Sequence, residues 1–164
     1  MGDDQYELGV LLQLRERARD ESQDDLAAQT AELARRQKVL EEARGALEAA
    51  IEERHDQRRR FNDKLSQGGV SLGSMQMFED YVRGLVQREG ELEGAIRDRE
   101  GEVSAQREAI AAAQRSLNEA ITQLKAVESH KKGWQEERDS EARRKESAAM
   151  DEIAARRWRE RHGG

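Results

Sequence analysis

The second half of the chain repeats apolar residues at alternating steps of four and three, and this repeat is what most restricts its fold. One row, at seven-residue steps, consists of Phe78, Leu85, Leu92, Arg99, Gln106, Ala113, Ala120, Val127 and Trp134. A second row, four residues later, consists of Val82, Glu89, Ile96, Val103, Ile110, Leu117, Leu124, Lys131 and Arg138. Such spacing over many turns is typical of a coiled-coil helix.

The first half carries a similar but less regular stripe. Its stronger row has leucine at every seventh position: Leu26, Leu33, Leu40 and Leu47. The companion row four residues later mixes polar and apolar side chains, from Thr30 to Leu65. The first arm is therefore also predicted to be a helix with one apolar face.

Between the two arms the repeat stops at SQGGVSLGSMQMF, which starts at Ser66. Gly68, Gly69 and Gly73 permit the positive φ angles that reverse a chain. Ser71 or Ser74 is suited to cap the helix that follows. We therefore predict an all-α fold, a long antiparallel two-helix coiled-coil hairpin.

The whole chain, 1–164, is predicted to be a single hairpin. We expect helix 1 at about 5–66, the turn at about 67–74 and helix 2 at about 75–161. In the simplest register Phe61 lies opposite Phe78 and Leu47 opposite Leu92, while Leu40 lies opposite Arg99, which is a flaw. At 1.5 Å per residue the arms are about 90 Å and about 130 Å long. Helix 2 therefore overhangs beyond about Trp134.

Composition supports long helices and restricts the function classes. Charged residues make up 39% of the chain and aromatics 4%, with no proline, as in long solvated helices. The net charge of −6, with both signs interleaved, argues against nucleic-acid binding. The chain has no cysteine, which fits a reducing compartment. No apolar segment reaches the ~20 residues of a membrane span, and the start, MGDDQYELGVLLQL, lacks the features of a signal peptide.

No pattern in the sequence indicates catalysis. There is no phosphate-binding GxxxxGK loop and no HExxH motif. The three histidines, His55, His130 and His162, are far apart. A two-helix fold also offers no deep pocket that would perturb carboxylate pKa values. We expect no enzyme activity, no metal and no cofactor.

Two segments are candidate binding surfaces, each with a plain structural alternative. At the turn, soft and aromatic side chains are concentrated beyond what two helices can bury; they either only close the end of the hairpin or also bind a partner. This set comprises Met75, Met77, Phe78, Tyr81, Val82 and Leu85. In the overhang, a tryptophan among arginines has the composition of a binding hot spot, against the alternative of a frayed terminus. That set comprises Met150, Ile153, Arg156, Arg157, Trp158 and Arg159.

A hairpin of this size, rich in Ala, Glu, Arg and Gln, with Leu11-Leu12 near its start, resembles the FliJ/YscO family, the stalk proteins of flagellar and virulence-associated type III secretion systems. Phe78, Val82, Leu85 and Glu89 match an apolar patch of the flagellar member that is implicated in binding the export gate. The family patch ends in histidine where this chain has Glu89. The resemblance therefore favours a secretion-system paralogue over the flagellar protein.

The resemblance implies a cytoplasmic, monomeric stalk at the inner-membrane secretion apparatus. Its partners would be the hexameric export ATPase at the terminal end, the cytoplasmic domain of the export-gate membrane protein at the tip, and secretion chaperones. It implies neither nucleic-acid binding nor direct membrane insertion. A coiled-coil holdase chaperone and a dimeric structural scaffold stay open as alternatives, since exposed apolar surface and long helices serve those roles as well.

Overall fold

The computed structural model describes residues 6–163, and these form two long helices joined by a short turn. Helix α1 spans Gly9–Gln67 and helix α2 spans Leu72–His162. The helices run antiparallel as an all-α helical hairpin, and the predicted fold class is confirmed. Contacts group the described residues into two compact units: unit 1 combines 6–24 with 115–163, and unit 2 is the continuous range 25–114.

The turn is shorter than the sequence predicts. Gly68 and Gly69 have φ angles of 81° and 87°, the left-handed region that glycine adopts without steric cost. The amide of Gly68 donates to the carbonyl of Leu65 (3.2 Å), which satisfies an orphan carbonyl of the last turn of α1.

Ser71 caps the start of α2. Its Oγ accepts a hydrogen bond from the amide of Ser74 (3.1 Å), as an N-cap serine does. The first intrahelical bond runs from the Met75 amide to the Ser71 carbonyl (3.1 Å). Because the cap is Ser71, α2 begins three residues before the expected position and Gly73 lies in its first turn.

The other helix ends also differ slightly from the expected bounds. The expected first residue of helix 1, Gln5, lies outside the described residues. The Gly9 amide donates to the Tyr6 carbonyl (3.0 Å), so a single turn precedes α1. At its far end α2 extends to His162.

In unit 2 the two apolar rows form the seam. The rings of Phe61 and Phe78 stack with centroids 3.9 Å apart, as the register predicts. Other seam side chains are buried: Leu40, Val82, Val103 and Ala113. The seam thus follows the sequence rows and gives unit 2 its apolar contact.

At the expected flaw opposite Leu40, the buried side chain in the same groove is Val103. Leu40 is buried as well. Arg99 is half exposed and pairs with Glu102 on its own helix (3.1 Å). The long arginine side chain leaves the seam because a guanidinium retains its hydration at the helix surface.

Two polar contacts lie within the seam of unit 2. The Arg54 guanidinium donates to a carboxylate oxygen of Glu89 (2.6 Å), and Glu89 is buried. The Gln106 amide, also buried, donates to the backbone carbonyl of Gln29 (2.9 Å) and to its side-chain oxygen (2.7 Å). Both buried groups are satisfied, as buried polar atoms require.

In unit 1, α2 buries an unbroken apolar row against residues 6–24. The buried side chains are Leu117, Ala120, Leu124 and Val127. Arg15 of α1 donates a hydrogen bond across this seam to the Gln123 side-chain oxygen. Within residues 6–163, neither helix is apolar over a length that could cross a bilayer.

Candidate partner-binding surfaces

The six turn-proximal candidates divide into an inward and an outward set. Val82 is buried (5% exposed), and Phe78 and Leu85 are half-buried. These three close the seam beside the turn. A partner can therefore contact this inward set only through the exposed parts of Phe78 and Leu85.

Met75, Met77 and Tyr81 face solvent, and Met77 is 75% exposed. Leu72, which was not among the sequence-based candidates, is 82% exposed in the first turn of α2. The sequence could have indicated Leu72 as a surface residue, because it directly follows a possible cap serine. A polar residue at that position would cost no stability. We call Leu72, Met75, Met77 and Tyr81 the tip surface.

The tip surface has charged residues beside it. Leu72 and Met75 line one shallow groove with Gln76 and Glu79. On α1 the run Arg58 to Arg60 is exposed, and Arg59 pairs with Asp56. The tip therefore presents an apolar surface with both signs of charge nearby.

The terminal candidates lie on a helix with no covering partner. Every described residue from 141 to 163 is exposed. Trp158 is 63% exposed, and its ring stacks on His162 with centroids 5.0 Å apart. The His162 Nδ1 also hydrogen-bonds the Trp158 carbonyl (2.9 Å). This stack orders the last turn of α2 without burying it.

Four of the six terminal candidates share one groove along α2. Its lining residues are Met150, Ile153, Ala154, Arg157, Trp158, Arg161 and His162. We call this set the terminal face. Arg156 and Arg159 lie elsewhere on the helix: Arg156 pairs with Glu152 (2.7 Å), and the Arg159 Nε donates to the Ala155 carbonyl. The structure thus separates the predicted arginines into two groups.

An aromatic cluster, which we call the clasp, ends the paired part of unit 1, and no sequence pattern indicated it. It comprises Tyr6, His130, Trp134 and Arg138. The Tyr6 hydroxyl hydrogen-bonds the His130 Nδ1 (2.8 Å), and the Tyr6 ring lies 5.3 Å from that of Trp134. The Arg138 guanidinium sits 5.0 Å above the Trp134 ring, in cation–π range. The one feature of the sequence that could have indicated this cluster was Trp134 in the seam row. Beyond this clasp α2 has no counterpart among the described residues of α1.

The ionisable groups of the described residues form no recognisable catalytic arrangement. No group of three or more His, Cys, Asp or Glu in the described range could hold a metal ion. A hydrogen bond from Arg36, and then the charges of Arg35 and Arg36, lower the pKa of Glu32. Hydrogen bonds to Glu41 and Glu100 raise the pKa of Arg44. These shifts come from surface ion pairs, and they stabilise the charged forms.

Comparison with known proteins identifies the family. No curated protein matches the chain significantly. A solved structure from Chlamydia trachomatis, CT670, described as a candidate YscO homologue, is 19% identical, with a TM-score of 0.78 over 92% of each chain. At that identity the likeness shows a shared fold. The model of the YscO-like protein family matches residues 3–161, nearly the whole chain, and the chain therefore belongs to the YscO-like family.

Proposed function

We propose that this protein is a non-enzymatic stalk and adaptor of a type III secretion export apparatus. The YscO-like family is associated with type III secretion. In this proposal the terminal face engages the hexameric export ATPase, and the tip surface engages the cytoplasmic domain of the export gate. Secretion chaperones are a further class of partner.

One observation carries the proposal: α2 continues as an uncovered helix beyond the clasp. Met150, Ile153 and Trp158 are all exposed on it, although a solitary helix gains nothing from displaying large apolar side chains. Most helical stability in proteins comes from burying such a face. A partner that covers this segment supplies the missing burial, and the central opening of a ring-shaped ATPase is suited to receive one helix.

The tip surface supports a second binding partner. Leu72 and Met77 are more exposed than any other large apolar residue of unit 2. Methionine surfaces adapt to a partner because the side chain is flexible and polarisable. Two separate exposed apolar surfaces on one helix suit a protein that bridges two components.

The direct test is to titrate the purified chain into the hexameric ATPase of the same secretion system and to measure ATP hydrolysis. We expect stimulation that saturates near one chain per hexamer. Stimulation that keeps rising with excess chain, or no stimulation with no co-elution, would contradict the stalk role. Suppression of aggregation of an unrelated client by the same preparation would then favour the holdase alternative.

A truncation after Ser140 sharpens this test. It retains Trp134 and Arg138, so the clasp and the seam of unit 1 remain. We expect the truncated chain to keep its fold, measured by thermal unfolding, and to lose binding to the hexamer. The matched control is the full-length double variant Leu72→Ser/Met77→Ser, which changes the tip surface and should stimulate hydrolysis normally.

A further inference from the structure

The terminal face does not continue the seam of unit 1. At 3.6 residues per turn, the centre of the face lies roughly a third of a turn around α2 from the centre of the buried row Leu117, Ala120, Leu124 and Val127. Ile153 lies at the edge of the face nearer that row. A longer first helix in the same seam would therefore leave most of the face uncovered.

The charge on this face lies inside its apolar stripe. On a helical wheel at about 100° per residue, Arg157 falls between Ile153 and Met150, and Arg161 falls between Met150 and Ala154. Neither Arg157 nor Arg161 makes an ion pair with another described residue. The lining residues include no carboxylate. The face thus has two guanidinium groups that pair with no described residue and that lie among apolar side chains of the groove.

This arrangement disfavours two occupants. A second copy packed in parallel would place the two guanidinium groups of each partner side by side in one seam, which is unfavourable. A bilayer favours helices whose cations lie on the polar side and flank the apolar face. Here the arginines would be buried in the centre of the inserted surface.

We propose that the terminal face binds one amphipathic helix of a partner protein, whose apolar stripe carries acidic residues at its centre. Apolar side chains of that helix cover Met150, Ile153 and Trp158. Its carboxylates pair with Arg157 and Arg161, and arginine suits this role because its planar fork binds a carboxylate through two parallel hydrogen bonds. The inference deepens the proposed function, on which it rests for the identity of the partner: the docking element is an acidic helix.

The test uses three labelled synthetic helical peptides of equal length with a leucine stripe. They carry Glu, Gln or Lys at the same two central positions of the stripe. Fluorescence anisotropy with the full chain measures their affinities. We expect the Glu peptide to bind about tenfold more tightly than the Gln peptide, a difference of about 1.4 kcal/mol, and the Lys peptide to bind weakest.

Two charge-reversal variants provide the matched comparison. Arg157→Glu/Arg161→Glu should reverse the preference, so that the Lys peptide binds best. Arg156→Glu/Arg159→Glu makes the same change in net charge on the other side of the same segment, and it should keep the preference for Glu. Circular dichroism verifies that both variants stay helical.

Several outcomes would overturn the inference. Equal effects of the two variants would show non-specific charge attraction. Equal binding of the Glu and Gln peptides, or binding of none, would exclude an acidic helix. Uptake by phosphatidylglycerol vesicles in preference to the peptides, or self-association by sedimentation, would assign the face to a bilayer or to a second copy.

ATP hydrolysis with the same variants separates this inference from the proposed function. If the unmodified chain and Arg157→Glu/Arg161→Glu stimulate the hexamer equally, the stalk role stands and the acidic-helix inference fails. If the unmodified chain does not stimulate, the stalk role fails, and the peptide affinities alone decide the inference.

Discussion

Two stretches of α2 within unit 1 are both helical, but for different physical reasons. From 115 to 134 the helix buries a regular row of side chains, and Leu124 is only 3% exposed. From 141 to 163 no described residue is buried, and local contacts such as the Arg156–Glu152 pair support the helix. The first stretch is stabilised by the hairpin itself. The second displays apolar residues that contribute little until something covers them.

The largest expected difference between the two stretches is the effect of truncating an apolar side chain. Leu124→Ala should lower the free energy of unfolding by about 2–3 kcal/mol, through lost burial and a residual cavity. Met150→Ala, in the terminal stretch, should change it by less than about 0.5 kcal/mol. Urea denaturation followed by circular dichroism measures both. Similar costs for the two variants would mean that the terminal stretch is covered in solution.

Ion pairs give a second and smaller contrast. Glu89→Ala leaves the partly buried Arg54 guanidinium without its carboxylate and should cost about 1–2 kcal/mol. Glu152→Ala breaks the exposed pair with Arg156 and should cost at most about 0.5 kcal/mol. The same denaturation assay compares them. The contrast would be lost if replacing Glu152 proved as costly as replacing Glu89.

The smallest contrast concerns two histidines that each lie beside an aromatic ring. His130→Ala removes the shorter of two hydrogen bonds of the Tyr6 hydroxyl, leaving the longer one to the Val127 carbonyl (3.5 Å), and should cost about 1 kcal/mol. His162→Ala, beside Trp158, should have no measurable effect on unfolding. A double-mutant cycle of Tyr6→Phe with His130→Ala isolates the clasp. A coupling energy near zero would show that the hydrogen bond contributes nothing in solution.

Local patterns in the sequence were sufficient for the fold class and the seam. The seven-residue rows identified Val82, Val103, Leu117 and Leu124 as seam positions, and the glycines located the turn. The start of α2 depended on one choice that local pattern left open, namely whether Ser71 or Ser74 caps the helix. Hydrogen bonding selects Ser71, and three residues change from turn to helix.

Contacts between distant residues could not be read from the sequence. The rows contained Glu89 and Gln106, but periodicity does not say that Arg54 and Gln29 satisfy them. Tyr6 lies outside the helical pattern, so nothing local connected it with His130. Among the candidate surfaces, composition selected Trp158 and its arginines, while helical geometry was needed to show which arginines share its face.

The positions of the two tryptophans have a spectroscopic consequence. Trp134 is half-buried between Tyr6 and Arg138, so its emission should shift to the red when the hairpin opens. Trp158 is already in water, and its emission should shift to the blue when a partner covers the terminal face. The chain has no other tryptophan. Unlabelled protein therefore reports hairpin opening and partner docking as shifts of opposite sign.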